Sequence, residues 1–207
     1  MKALILNGCN NFGKSIILNL LNKKYDIILV DKNKRQLEYL QKNIDKEIEI
    51  VSLDLSSTYN CKKLYNKYCD DVDMIINCTN ENYSNNFLDE KLDHDLDLID
   101  NNIIGVHVLT KLFLQKFEEK KNGYIINIVP DKTNIPNSLM ATYMASKSYV
   151  SKLTESINFE LKKKNINVYV GLGITSFTII DKNKDYEIEA NTLIEGILNK
   201  NDIIKIG

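Results

Sequence analysis

A tyrosine and a lysine stand four residues apart in the run Tyr143-Met144-Ala145-Ser146-Lys147. On a helix this spacing places the two side chains on one face, one turn apart. A nearby ammonium stabilises a phenolate and lowers the pKa of the phenol towards neutral pH. The pair is therefore suited to general acid–base catalysis at a substrate oxygen. The same spacing also occurs on solvated helix faces, so the elements around the pair decide between the two interpretations.

A turn bounded by glycines joins an apolar run to an amphipathic stretch near the start of the chain. Residues 3–6 predict a strand, and Gly8 and Gly13 occupy the outer positions of a G-x-G-x-x-G pattern with Asn10 in the middle. In a dinucleotide site such a turn brings the backbone and a helix N-terminus to the pyrophosphate. Because asparagine tolerates left-handed backbone angles, we expect Asn10 to preserve the turn with less room for phosphate. An ordinary strand-to-helix turn is the alternative. The expected cofactor contacts here are Gly8, Asn10, Asn11, Phe12 and Gly13.

An acidic residue, Asp31, ends the second apolar run. Its offset of about twenty residues is where a carboxylate meets the adenosine ribose in dinucleotide sites. A carboxylate accepts hydrogen bonds from both ribose hydroxyls and repels a 2′-phosphate, so NAD(H) is favoured over NADP(H). Nearby cations weaken that preference unless they are solvated helix charges: Lys14, Lys32, Lys34 and Arg35.

Composition favours one α/β domain over residues 1–207, because 207 residues with 43% hydrophobic content can bury one sizeable core. A net charge of −1 provides no basic field for nucleic acid. The four cysteines and two histidines lack ligand spacing, so no metal site is predicted. No signal sequence and no apolar run of about eighteen residues is visible, which predicts a cytoplasmic protein without membrane association.

Apolar strands alternate with amphipathic helices, which predicts a Rossmann-type, doubly wound parallel sheet of about seven strands with helices on both faces. The predicted strands are 3–7, 26–31, 47–53, 73–78, 124–129, 166–172 and 202–206. The predicted helices are 13–23, 33–43, 58–69, 95–120, 141–163 and 189–199. Ile104, Val108 and Phe159 leave apolar surface on the two longest helices, so we expect a homodimer or homotetramer formed through them.

Several segments, in order, resemble the short-chain dehydrogenase/reductase family between Lys2 and about Thr178. The turn from Gly8 to Gly13 resembles the family's T-G-x-x-x-G-x-G with one residue fewer and Asn7 for Thr. The run 73–80 resembles D-x-L-V-N-N-A-G, Asn102 begins an N-x-x-G match, and residues 143–147 match Y-x-A-S-K without a mismatch.

The resemblance implies hydride transfer between a nicotinamide and a carbonyl or alcohol carbon. Tyr143 would be the general acid or base, Lys147 would lower its pKa and bind the nicotinamide ribose, and Asn102 would support a proton relay through water. Asp54 would contact the adenine amino group. Further cofactor contacts implied are Leu55, Asn77, Cys78 and Thr79, with Tyr143 and Lys147.

The chain departs from the family pattern where N-I-S-S becomes Asn127-Ile128-Val129-Pro130, because the serine that would hydrogen-bond the reacting carbonyl is absent. Thr133, Ser138 and Thr142 are candidate replacements and equally plausible turn or cap residues. The P-G-x-x-x-T segment appears as residues 173–178, Gly-Ile-Thr-Ser-Phe-Thr, which departs from the family pattern at the nicotinamide end. Residues 179–207 leave room for only a short substrate lid, so the substrate is expected to be large or extended. Carrier-bound 3-oxoacyl reduction is a hypothesis by analogy.

Two other functions remain open from the sequence. A catalytically impaired dinucleotide-binding protein, acting as a sensor, scaffold or pseudoenzyme, is favoured by the missing serine and by Asn10, and opposed by the intact Tyr143 and Lys147. A methyltransferase would account for Asp31 and the glycines but leaves the Tyr143 segment and Asp54 unexplained.

Overall fold

The computed structural model describes residues 1–79, 84–131, 133, 135, 137–175 and 186–207. The strands are β1 (Lys2–Leu6), β2 (Asp26–Asp31), β3 (Glu49–Ser52), β4 (Met74–Asn77), β5 (Tyr124–Pro130), β6 (Tyr169–Thr175) and β7 (Ile203–Ile206). The helices are α1 (Asn11–Asn22), α2 (Lys34–Lys42), α3 (Thr58–Tyr68), α4 (Leu92–Ile99), α5 (Gly105–Lys120), α6 (Ala141–Lys163) and α7 (Glu187–Leu198).

The strands form one parallel sheet in the order β3-β2-β1-β4-β5-β6-β7. Because β1 pairs with both β2 and β4, the strand order reverses beside β1. In sheets of this kind, ligands bind outside the carboxyl ends of the strands at that reversal. The predicted Rossmann-type doubly wound sheet is confirmed, and the glycine turn that follows β1 lies at the reversal.

Alternating strand residues build the two sides of the core. Ala3 and Ile5 of β1 join the cluster under α1, α2 and α7, whereas Leu4 and Leu6 join the cluster under α3 and α5. Both faces of the strand are therefore buried, as expected for a parallel sheet covered by helices. Side chains also fix where helices begin: Asn10, Asn33 and Ser57 accept hydrogen bonds from the first turns of α1, α2 and α3.

The predicted helix over 95–120 is wrong in its continuity. A π-helical turn over Asp100–Ile104 separates α4 from α5. Such a turn changes the direction in which side chains leave the helix, and it places Asn102 in the interior. The residues that follow resume an ordinary helix whose inward stripe is Val106, Leu109, Phe113 and Phe117.

The sixth strand lies about three residues later than the predicted 166–172. Asn165 has a left-handed φ of 54°, and the residues after it complete the turn before β6 begins at Tyr169. Gly171 and Gly173 both lie within the strand. The side chains of Leu193 and Ile206 pack over Gly173, which fills the space that a side chain would have occupied.

No helix among the described residues combines the length and apolarity needed to cross a membrane. The predicted match at Ser176, Phe177 and Thr178, the residue Asn80 and the first part of the short lid region lie outside the described residues.

Candidate active site

The turn after β1 is shaped by two asparagines, in a different way from the prediction. Asn7, not Asn10, adopts the left-handed conformation, with φ of 53°. Asn10 is extended, with φ of −138°, and its Oδ1 accepts a hydrogen bond of 2.9 Å from the Gly13 N–H. The expectation for Asn10 was therefore wrong in mechanism: it preserves the turn by capping α1. In doing so it uses one N–H that a pyrophosphate would otherwise have met.

Gly13 is required by close packing between the turn and the helix. A Cβ on Gly13 would lie 2.1 Å from the carbonyl oxygen of Gly8. This is the role of the last glycine in a dinucleotide-binding turn, which allows the helix to pack tightly on the preceding backbone. Any other residue would push α1 away from β1.

Asp31 lies against the same turn. Its Oδ1 accepts a hydrogen bond of 3.0 Å from the Asn33 N–H. Burial raises the pKa of the Cys9 thiol far above its usual range, and the charge of Asp31 and its hydrogen bond with Cys9 raise it further. The fold therefore brings the carboxylate from the end of β2 to the glycine turn.

Three predicted cofactor contacts have side chains in the core. Phe12 packs edge-on against Tyr186 at a centroid distance of 5.7 Å, and Cys78 and Leu55 are buried. These residues can offer a ligand only backbone atoms. Asp54 is exposed, and its Oδ1 accepts hydrogen bonds from the N–H and hydroxyl of Ser56.

A chain of buried polar side chains crosses the centre of the sheet. Asn7 Nδ2 donates to Thr79 Oγ1 at 2.7 Å, and Thr79 Oγ1 donates to Asn77 Oδ1 at 2.6 Å. Asn77 Nδ2 then donates to Asn127 Oδ1 at 3.3 Å, and Asn127 Nδ2 donates to Thr154 Oγ1 of α6 at 2.9 Å. The chain joins β1, β4, β5 and α6, so Asn77 and Thr79 have structural roles whether or not they also meet a cofactor.

Lys147 is 2% exposed, and its Nζ donates a hydrogen bond to the carbonyl oxygen of Thr79. The ammonium lies 5.7 Å from the ring centroid of Tyr143. Thr79 follows β4, so the bond attaches this face of α6 to the carboxyl edge of the sheet. The tyrosine, the lysine and the end of β4 therefore form one site.

The pKa of the Tyr143 phenol differs from the expectation. Burial raises it from 10.0 to about 12, opposite to the lowering expected from Lys147. Desolvation disfavours the phenolate. The phenol is consequently protonated at neutral pH in this state of the protein.

Asn102 reaches α6 from the π-helical turn. It is fully buried, and its Nδ2 donates to Ser146 Oγ at 3.2 Å, while Ser146 Oγ donates to the Tyr143 carbonyl at 2.7 Å. The structure thus brings together Tyr143, Lys147 and Asn102, the three residues predicted to be catalytic.

The three candidates for the missing serine lie in different surroundings. Thr142 Oγ1 donates a hydrogen bond to the Asp95 carboxylate of α4, and Ser138 is exposed. The carbonyl of Thr133 accepts a hydrogen bond from Ser148. Thr133 also lines a pocket of about 460 Å³, together with Ile135, Asn137, Ala141, Met144, Ala145 and Ser148. At 100° per residue, the α6 residues of that pocket lie on the side of the helix away from Tyr143.

Sequence reasoning missed Asp95, Asn127 and Thr154. Asp95 lies in an acidic segment with Asp93 and Asp97, but unlike them it is buried, with 8% of its surface exposed. Its spacing of three from the buried Leu98 puts both on one helix face, which is the signal that could have identified it. Asn127 was visible as a polar residue inside an apolar strand, a position that requires a hydrogen-bonding partner.

Comparison with known proteins identifies the class of protein to which this fold and site belong. The profile of the short chain dehydrogenase family matches residues 1–187. The chain therefore belongs to the short-chain dehydrogenase family, which confirms the resemblance found in the sequence. This assignment removes the methyltransferase alternative.

Among similar proteins, an uncharacterized oxidoreductase from Staphylococcus epidermidis is 22% identical over 169 residues, covering 80% of this chain and 74% of the relative. Very-long-chain 3-oxoacyl-CoA reductase from Rattus norvegicus is 23% identical over 175 residues, covering 80% of this chain and 56% of the relative. The relatives carry the names of oxidoreductases and reductases, which supports a dehydrogenase or reductase.

Solved structures share the fold over nearly the whole chain. A short-chain dehydrogenase/reductase family protein superposes with a TM-score of 0.86 at 16% identity, covering 100% of this chain and 95% of that one. A short-chain dehydrogenase from Sphingobium yanoikuyae in complex with NADPH gives a TM-score of 0.83 at 18% identity, covering 99% of this chain and 86% of that one.

Proposed function

We propose that the protein is an NAD(P)-dependent oxidoreductase that transfers a hydride between a nicotinamide and a carbonyl or secondary alcohol. The observation that carries this proposal is the joint burial of Tyr143, Lys147 and Asn102 where α6 meets the end of β4. A buried ammonium and a buried amide are costly unless they are hydrogen-bonded, and here Thr79 and Ser146 provide the partners. Proton transfer beside a nicotinamide site is the purpose that the family supplies.

The residues present fit a dinucleotide. The approach of Gly13 to Gly8 leaves no space for a side chain in the turn, and Asp31 lies beside that turn. Asp31 would accept the ribose hydroxyls and repel a 2′-phosphate, so NAD(H) is favoured over NADP(H). The Asn10 side chain already accepts a hydrogen bond from the Gly13 N–H, so α1 has one N–H donor fewer for the pyrophosphate.

A bound nicotinamide would supply or accept the hydride, since the cofactor carries that chemistry. Tyr143 exchanges the proton with the substrate oxygen. The phenol is protonated at neutral pH and can donate its proton in the reductive direction. Burial raises its pKa to about 12 and makes it a weaker acid, so proton donation requires a group that stabilises the phenolate. Lys147 holds its ammonium within 5.7 Å of the ring and would stabilise the phenolate as the proton leaves. Asn102 supports the helix that carries both groups and would take part in the proton relay.

A second candidate is a dinucleotide-binding protein with impaired catalysis. Two observations favour it: Val129 and Pro130 replace the family's serine, and the Thr142 hydroxyl is directed to Asp95. Loss of one hydrogen-bond donor at a reacting carbonyl costs about a hundredfold to a thousandfold in rate. A protein that lacks this donor would therefore turn over slowly instead of being completely inactive.

The substrate and assembly remain parts of the proposal. A large or extended carbonyl substrate, such as a carrier-bound acyl group, is proposed by analogy with the 3-oxoacyl-CoA reductase among the similar proteins. We also propose a homodimer or homotetramer through α5 and α6. In support, Phe159 is 72% exposed on α6, and His107 of α5 and Tyr149 of α6, which share a hydrogen bond of 2.8 Å, are also exposed. The cytoplasmic location stays a prediction.

The test is a titration with NADH and NADPH, followed by nicotinamide fluorescence, and then a panel of carbonyl compounds from small ketones to acyl thioesters. NADH binding followed by oxidation with one of the carbonyls supports the oxidoreductase. Binding without oxidation across the panel favours the impaired protein. Failure to bind either nucleotide contradicts both candidates.

A further inference from the structure

Helix α4 carries a carboxylate on the face that it buries. Asp95 is 8% exposed and lies one turn from the buried Leu98, whereas Asp93 and Asp97 of the same helix are exposed. An apolar residue would occupy this face at no electrostatic cost, while a buried carboxylate must be hydrogen-bonded. A specific partner therefore accounts for an acidic residue at this position.

That partner is the second residue of α6. Thr142 Oγ1 donates a hydrogen bond to Asp95 Oδ1. Thr142 directly precedes Tyr143, and the residue before α6, Met140, makes no side-chain cap of its own. A carboxylate at the first turn of a helix also interacts favourably with the positive end of the helix dipole. Asp95 thus places a carboxylate at the first turn of α6, where it accepts the hydrogen bond of the Thr142 hydroxyl.

A second hydrogen bond joins the same pair of elements. Asn102, in the turn after α4, donates to Ser146 at 3.2 Å. Thr142 and Ser146 are one turn apart on one face of α6. Tyr143 lies between the two points of attachment, so rotation of the first turn of α6 would break one bond or the other.

We propose that Asp95 is a positioning residue, which fixes the first turn of α6 through Thr142 and thereby orients the Tyr143 phenol. The inference rests on the proposed function, in which Tyr143 transfers the proton. It gives the Thr142 hydroxyl a role other than replacing the missing serine. A displacement of about 1 Å at a catalytic group can lower a rate by about a hundredfold.

The experiment compares Thr142→Val, Asp95→Leu, the double variant and Thr142→Ser with the wild-type protein. Thr192→Val is the matched control, because that hydroxyl donates to the Ile188 carbonyl at 2.9 Å within α7. The readouts are thermal stability, the NADH dissociation constant, kcat, and the ring resonance of Tyr143 in protein labelled with ¹³C-tyrosine. The resonance is assigned by its loss in Tyr143→Phe.

We expect the Tyr143 resonance to shift or broaden in both single variants, and kcat to fall about 10- to 100-fold with NADH binding within about twofold. Thr142→Ser should behave as wild type. In the double variant both polar partners are gone, so stability should recover while the resonance and kcat do not. Recovery of stability without recovery of the resonance or kcat would distinguish positioning from a merely structural contribution.

The resonance decides the inference independently of turnover. A wild-type Tyr143 signal in Thr142→Val and Asp95→Leu overturns it, whatever the rates are. Recovery of both signal and rate in the double variant also overturns it. A shifted signal in the variants of a protein whose wild type has no activity would retain the positioning role and reject the proposed oxidoreductase.

Discussion

The Lys147 ammonium lies 5.7 Å from the ring centroid of Tyr143 and is bonded at the same time to the carbonyl oxygen of Thr79. The lysine is therefore fixed by the sheet, and the tyrosine is placed relative to it by the helix. Burial raises the pKa of the Tyr143 phenol to about 12.

Tyr143→Phe should abolish turnover and leave NADH binding nearly unchanged, because the ring still fills its buried position while the proton donor is lost. Steady-state kinetics with a carbonyl substrate and a fluorescence titration measure the two effects. Tyr149→Phe is the control, since Tyr149 is on the same helix but exposed. Retained turnover in Tyr143→Phe would show that another group is the acid.

Pro130→Ser should raise kcat by about tenfold or more, because Pro130 ends β5 at the carboxyl edge and a hydroxyl there would restore a donor. Val129→Ser is the matched comparison. Val129 is 1% exposed in a cluster with Val106, Val150 and Leu172, so its replacement should cost about 1–3 kcal/mol of stability without a gain in rate. Equal rates in Pro130→Ser and wild type would contradict the interpretation of the missing serine.

Asp31→Ser should weaken NADH binding and strengthen NADPH binding, because the carboxylate that meets the ribose and repels a 2′-phosphate is removed. The ratio of the two dissociation constants should change by roughly tenfold or more, a change of about 1.4 kcal/mol in preference. Lys34→Ala controls for local charge, as Lys34 pairs with Glu38 on the surface. An unchanged ratio of the NADH and NADPH dissociation constants would mean that Asp31 does not contact the ribose.

Gly105→Ala should destabilise the protein by about 1–3 kcal/mol, since the new Cβ would lie 2.3 Å from the Leu55 carbonyl oxygen, a backbone atom that cannot move alone. Gly173→Ala should be tolerated better, because its Cβ would meet only side-chain ends at 3.2 Å or more. Urea unfolding of both variants provides the comparison. A stability loss in Gly173→Ala as large as in Gly105→Ala would argue against this account.

Stability should fall as the pH rises from 9 towards 12. Burial raises the pKa of the Cys78 thiol from 9.0 to about 12, so the unfolded chain loses the proton first. The stability that the protonated thiol contributes is fully present below pH 9 and is lost as the pH approaches the pKa of the thiol in the folded protein. The loss is about 1.4 kcal/mol per pH unit for this thiol.

Urea midpoints measured between pH 8 and pH 10.5 test this dependence. Cys78→Ala should reduce the slope of stability against pH. Cys69→Ala is the comparison, because the Cys69 thiol at the end of α3 is less buried. A slope in Cys78→Ala identical to that of the wild type would mean that Cys78 does not contribute.

The parallel sheet was predictable from the sequence because most strands are apolar runs followed by a turn and an amphipathic helix, an alternation that indicates parallel strands but not their order in the sheet. The π-helical turn was not predictable, since residues 95–120 keep an almost helical apolar period through it. The relation of Asp31 to the glycine turn followed from spacing. The connection between Asp95 and Thr142 did not, because it joins elements 47 residues apart through side chains of unremarkable type.

The buried asparagines also carry information about how the sheet is assembled. Asn77 and Asn127 are direct partners in the register of β4 and β5. A slip of one residue would separate the two amides, and would set Asn77 against an isoleucine and Asn127 against Ile76 or Cys78. The two amides therefore favour the observed register of β4 and β5, two strands whose isoleucines alone would not distinguish one register from another.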